Sequence, residues 1–244
     1  LQRIKDHHYK ALEEAVGGSK EADAAREFFD QELSELENFL HAIGIIQELS
    51  ARSHDAVVSV GERLSACLLS AVLNSKGVPA EFVDLSQVCP TGSRQADRSF
   101  WDEVQNSIGV KVLPVIEKDR VPVLTGYLGP VPGGIIDAVG RGYTDFTASL
   151  SAAALEAREL QIWKEVDGVF TTDPRKVESA EVLPSLTPRE AAELTYFGSE
   201  VVHPMTMERA IQAGVPLRIK NTFKPDLPGT VITEAAEGDT TRPV

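Results

Sequence analysis

The chain has 244 residues and a formal net charge of −13, with 42% hydrophobic and 25% charged residues. That length is enough for one large domain or two small ones with a sizeable core, and the composition is that of an ordinary soluble globular chain. The acidic balance excludes a general binder of nucleic acid or anionic membrane, because both demand a positive field; an anionic ligand must find its cations locally.

No apolar run approaches the roughly 18–20 residues that span a bilayer, and residue 1 opens no targeting segment, so a cytoplasmic location is expected. Cys67 falls in an apolar helix-like stretch and Cys89 in a loop beside Pro90. Both are expected as free thiols, and no metal site is expected from the protein.

Residues 1–50 read as a helical arm. Apolar side chains recur at Ala25, Phe28, Phe29, Leu33, Leu36, Phe39 and Leu40, close to the helical period, and Gly17-Gly18-Ser19 breaks the arm before them. The pair His7-His8 has no carboxylate or cysteine at metal-ligand spacing and reads as a solvated helix face. The run Ala56-Val57-Val58-Ser59-Val60 predicts a strand that turns through Gly61-Glu62 into a helix from Arg63 to Asn74, with Glu62 at the corner. Residues 80–85 predict a second strand, and this βαβ grammar implies a mainly parallel sheet. Residues 87–99 read as a surface loop, and residues 101–116 as a helix with room for a short strand.

The organising stretch follows. An apolar run, Val121 to Leu124, stops at Thr125-Gly126, passes two glycine-rich turns and reaches Gly140-Arg141-Gly142-Tyr143-Thr144-Asp145, directly before a small, apolar, helix-like run at residues 146–157. A helix start of this kind gathers unpaired N–H groups and favours anions. Taken alone, an ordinary capped βα turn explains these residues equally well. Residues 160–163 predict the next strand, which ends in Lys164-Glu165-Val166-Asp167-Gly168 and leads to FTTDPRKV. A strand ending in mixed charge and a glycine turn suits the ligand edge of an open α/β sheet. Thr187-Pro188-Arg189-Glu190 is a capping box opening a helix, residues 203–213 predict another, and residues 215–219 and 230–232 predict strands.

GRGYTDFTAS, FTTDPRKV and FGSEVVHP, in this order, resemble the catalytic domain of aspartokinases, within the amino-acid kinase family, with a fungal flavour. The resemblance covers about residues 52–233. It implies an α/β three-layer αβα sandwich around a mainly parallel central sheet, with residues 1–50 as the arm, 51–233 as the core and 234–244 as a polar tail. It also implies ATP- and Mg²⁺-dependent phosphorylation of the L-aspartate side-chain carboxylate to 4-phospho-L-aspartate, the first step toward the aspartate-derived amino acids. The expected partners are L-aspartate and ATP, without nucleic acid or membrane, in a homo-oligomer of the full-length protein.

On the substrate side the resemblance implies Glu62, Tyr127, Arg141, Gly142, Thr144 and Asp145, with Arg141 and Asp145 closest to the chemistry. A guanidinium fork suits the α-carboxylate, while Glu62 and Asp145 suit the ammonium group or a nearby lysine. On the nucleotide side it implies Lys164, Glu165, Phe170, Asp173 and Arg175. Lys164-Glu165 also reads as a solvated charge pair.

The sequence departs from the family in three places. A lysine with paired glycines is expected before the arm and is not found in residues 1–20, so impaired activity is expected of these 244 residues, and no regulatory ACT domain is expected within them. Tyr143 stands where many relatives have glycine, and Glu200 where many bacterial ones have a lysine. Another amino-acid kinase, of glutamate or acetylglutamate type, or a catalytically inactive binding module, remains open on these residues alone.

Overall fold

A computed structural model describes residues 1–140, 142–196 and 202–234. It contains two compact units, Leu1–Tyr143 and Thr144–Val244.

The first unit is built on three long helices. Helix α1 (Gln2–Val16) and helix α2 (Lys20–Ile46) form the predicted arm, broken at Gly18, whose φ of 76° takes the chain through the turn. Ser19 caps α2 by accepting a hydrogen bond from the Ala22 N–H at 3.1 Å. Leu12, Phe29, Leu33, Leu36 and Leu64 close a core between this arm and α3 (Ala51–Ser75).

Helix α3 corrects the expected strand at residues 56–60. Ser50 caps the helix, and the buried side chains Asp55, Ser59, Val60, Leu64 and Ala71 follow the helical period through the valine run. A short β-branched run is ambiguous between strand and helix, and helix-forming sequence on both sides resolves it. Glu62 therefore lies near the middle of a helix and not at a strand-to-helix corner. By length and composition α3 is also apolar enough to cross a membrane, contrary to the expectation that no such stretch exists. It carries Glu62 and Arg63 at mid-length and packs on α1 and α2, the contacts of a core helix.

Strand β1 (Ala80–Val83) pairs in parallel with β2 (Val121–Leu124), with Ala80 opposite Val121. They are joined by α4 (Arg98–Ile116), capped by Asp97 and helical throughout, where a short strand was one expectation. The short α5 (Ile135–Ala138), which the sequence did not suggest, interrupts the glycine-rich segment. Both β1 and β2 pack on α3 and α4.

Helix α6 (Tyr143–Ala154) begins at the boundary between the units. In the second unit β3 (Leu160–Lys164), β5 (Leu217–Asn221), β6 (Thr230–Ile232) and β4 (Ser185–Leu186) form one sheet in the order β3-β5-β6-β4. The β3/β5 and β4/β6 pairs are parallel and β5/β6 is antiparallel. The α/β class and mostly parallel pairing stand, with the described strands divided between two sheets. Helix α7 (Pro188–Tyr196) opens with the predicted capping box: Glu190 Oε2 accepts from the Thr187 N–H at 2.8 Å, and the Glu190 N–H donates to Thr187 Oγ1 at 3.3 Å. Helix α8 (Pro204–Gln212) and α7 cover Leu160, Ile162, Leu217, Ile219 and Ile232.

One ion network fastens the arm. Arg63 lies 2.7 Å from Glu32 on α2 and 3.1 Å from Asp84 just after β1, and the Glu32 side chain is only 4% exposed. Burial raises the Glu32 carboxyl above its ordinary pKa, with Arg63 opposing that shift. Removing one partner of such a pair leaves a buried charge, so Arg63→Met should cost roughly 3 kcal/mol in urea unfolding. The double variant Glu32→Leu/Arg63→Met should recover most of that loss; additive losses would show that the pair is not the cause.

Candidate functional site

The charged edge of the second unit follows from strand register. Strands β3 and β5 run in parallel with Lys164 opposite Asn221, so both end level where their apolar alternation gives way to polar residues. Open α/β sheets bind ligands beyond such carboxyl ends. Lys164 Nζ lies 3.0 Å from Asp145 Oδ2, linking the end of β3 to the first turn of α6. The Thr222 N–H donates to the Lys164 carbonyl at 2.8 Å, tying the residue after β5 to the same point.

A second lysine and carboxylate follow the same two strands. Asp167 accepts hydrogen bonds from Lys224 Nζ at 2.8 Å and from Asn221 Nδ2 at 2.5 Å. The Lys224 bond first, then that of Asn221, holds the Asp167 carboxyl below the ordinary carboxylate range. Asn221 is buried, and its Oδ1 also accepts from the Phe223 N–H at 2.8 Å, fixing the loop after β5. Asn221 and Lys224 were missed in the sequence. Their signal was a polar pair following an apolar strand, the same pattern that drew attention to Lys164.

The segment after β3 is anchored from below. Thr230, fully buried on β6, accepts from the Val169 N–H at 2.8 Å and donates to the Leu183 carbonyl at 2.6 Å. Phe170 is half-buried in an isolated antiparallel bridge with Val182. Beyond it Arg175 forks onto Asp173, with Nε to Oδ1 at 3.0 Å and Nη2 to Oδ2 at 3.1 Å, while 87% of the Arg175 side chain stays exposed. That fork draws the Asp173 carboxyl down in pKa. Glu165 and Thr144 are exposed. The structure thus brings Lys164 to Asp145 and Arg175 to Asp173; Lys164 pairs across to α6 and not with its neighbour Glu165.

In the first unit Glu62 on α3 accepts a 2.7 Å hydrogen bond at Oε1 from the Tyr143 hydroxyl. Tyr127 follows β2 and is buried at 6% exposure. Its backbone is set by Thr125, whose Oγ1 accepts from the Leu85 N–H at 2.9 Å and donates to the Tyr127 carbonyl at 3.1 Å. Burial first, then the Asp55 carboxylate, pushes the Tyr127 phenol up to about 12. Gly142 sits in the turn before α6. Arg141, Glu200 and most of FGSEVVHP lie outside the described residues.

Comparison with known proteins completes the description. Residues 6–221 match the model of the amino acid kinase family. The chain is 45% identical over 245 residues to an aspartokinase of Schizosaccharomyces pombe, covering 98% of this chain and 47% of the relative. It is 50% identical over 210 residues to an aspartokinase of Candida albicans, covering 83% of this chain and 39% of the relative. The chain therefore spans less than half the length of these two curated relatives. Among solved structures it resembles Escherichia coli aspartokinase III in complex with aspartate and ADP, with a TM-score of 0.79 and 27% identity over 95% of this chain and 50% of that one.

The raised phenol predicts a pH effect. A folded-state pKa above the unfolded value of 10.0 means that the Tyr127 contribution to stability is fully present below pH 10.0 and is lost as pH rises through about 12. Tyr127→Phe should flatten the fall in melting temperature between pH 10 and 12 relative to the parent. Equal slopes in the two proteins would count against a protonated, buried phenol.

Proposed function

The chain belongs to the amino acid kinase family, and from that premise we propose that this protein transfers the γ-phosphoryl group of ATP to the side-chain carboxylate of L-aspartate, giving 4-phospho-L-aspartate and ADP. The observation that carries the reading is the placing of Lys164 at the end of β3 and of Lys224 in the loop after β5, two strands that end level, in a chain with a net charge of −13. An acidic chain that holds lysines at a strand-end edge is arranged for an anion, and similarity to aspartokinases supplies the acceptor.

The chemistry asks for position and charge. An aspartate side chain is ionised at neutral pH, so no general base is needed. One carboxylate oxygen bonds to the γ-phosphorus as the bond to the β–γ bridging oxygen breaks, and ADP leaves with that electron pair. Donors fixed before the reaction stabilise the transferring group without reorganising during it. Lys164, held by Asp145, and Lys224, held by Asp167, are assigned to phosphate oxygens. Arg175 is exposed enough to trade Asp173 for phosphate, and Phe170 offers a ring to one face of the adenine. Glu62, oriented by Tyr143, is assigned with Tyr127, Arg141, Gly142 and Thr144 to the aspartate.

Among the described residues no group of three or more His, Cys, Asp or Glu side chains gathers for a metal ion. Asp145 and Asp167 are each engaged by a lysine, a donor set that fits magnesium carried on the nucleotide. Bound in that way, Mg²⁺ would supply positive charge that neutralises part of the charge on the phosphates.

Lys164→Met in the full-length protein should lower kcat about 100-fold or more while leaving the melting temperature nearly unchanged. Arg175→Ala should raise the KM for ATP several-fold and leave that for aspartate nearly intact. ADP release measured with L-aspartate and L-glutamate in parallel tests the acceptor: turnover with aspartate is expected, and equal or faster turnover with glutamate would overturn the assignment.

A further inference from the structure

Asp55 is only 3% exposed and absent from every role described so far except its influence on Tyr127. Its Oδ2 accepts a 2.6 Å hydrogen bond from the N–H of Ile135, 80 residues away. Ile135 opens α5, and the residue that should cap this helix is Gly134, which has no side chain with which to do so. Asp55 supplies the missing acceptor from another element.

The fit from the loop side is equally close. Gly134 has a φ of 99°, and a Cβ placed there would lie 3.0 Å from the Ala51 Cβ and 3.2 Å from Asp55 Oδ2. Glycine is what lets this backbone lie against α3 and reach the carboxylate. His54 Nδ1 is 3.9 Å from Asp55 Oδ1, too far for a hydrogen bond, so the bond to Ile135 is the close contact that orients the carboxylate among the described polar groups.

Asp55 and Glu62 lie seven residues apart on α3, which is two turns along one face, or about 10 Å of helix rise. Glu62 receives the Tyr143 hydroxyl, and Asp55 receives the Ile135 N–H. The segment 135–143 is therefore pinned at both ends to one face of one helix, and the residues between the pins include Gly140 and Gly142. We propose that Asp55 is a positioning residue: it sets the register of the glycine-rich segment on α3, so that Gly142, the described residue of that segment assigned to aspartate, is presented alongside Glu62. This rests on the assignment of Glu62 and the glycine-rich segment to the acceptor.

Kinetics and amide exchange together test it in the full-length protein. Asp55→Ala should raise the KM for aspartate about tenfold or more while leaving that for ATP within about twofold, the pattern of a group that acts on one substrate's site. Asp55→Asn keeps an acceptor oxygen and should stay within about threefold of the parent. Gly134→Ala, which pushes the segment off Asp55 from the other side, should reproduce the Asp55→Ala split. Amides 135–140 should exchange faster in Asp55→Ala and Gly134→Ala but not in Asp55→Asn. An unchanged KM for aspartate, or equal rises in both KM values in proportion to lost melting temperature, would overturn the positioning role. If the parent protein does not phosphorylate aspartate, the proposed activity fails by itself; exchange at 135–140 that is unaltered in Asp55→Ala would then overturn the anchor independently.

Discussion

The ion pair between Lys164 and Asp145 joins the end of a strand to the start of a helix, and the charged edge of the second unit is arranged around it. Its side chains are 33% and 25% exposed, so it contributes little to stability, on the order of 1 kcal/mol or less. Its consequence lies in geometry. A lysine on a flexible four-carbon stem is poor at holding a phosphate oxygen in one place unless something limits where its ammonium sits. The same arrangement recurs at Lys224 with Asp167 and at Arg175 with Asp173. In a chain with so large an excess of carboxylates, pairing both supplies the cations with partners and fixes their positions.

Backbone register makes that pairing possible. Because Lys164 stands opposite Asn221 on parallel strands, the residues just beyond them, Asp167 and Lys224, meet without any long excursion of the chain. Thr230 then holds the start of the following segment down on β6, so Phe170 and the Asp173–Arg175 fork extend from an anchored base. In the first unit Thr125 does a comparable task for Tyr127, and α3 for the glycine-rich segment. Thr230, Thr125 and Asp55, all buried, hold these segments in place without being assigned to ligand themselves.

What could be read in advance divides along the same line. Local signals were legible: the Gly17-Gly18-Ser19 break, the Thr187–Glu190 capping box, the apolar strand ending at Lys164 and the helix that starts near Asp145 all depend on neighbours within a few residues. Helix α3 was misread where Val57, Val58 and Val60 favour a strand locally, while packing against α2 favours the helix. Asp55 was not legible as an anchor, since its partner Ile135 is 80 positions away and offers only a backbone N–H. Asn221 and Lys224 were half-legible; their place after a strand was plain, but their partner Asp167 depends on the β3/β5 register, which a single sequence does not state.

The central claim is that the phosphoryl acceptor is the side-chain carboxylate of aspartate, and trapping the product tests it most directly. The full-length protein incubated with ATP, magnesium, L-aspartate and hydroxylamine converts an acyl phosphate into a stable hydroxamate that mass spectrometry can locate on the molecule. The account predicts the β-hydroxamate of aspartate, formed in step with ADP. An α-hydroxamate, or ADP release without any hydroxamate, would contradict it.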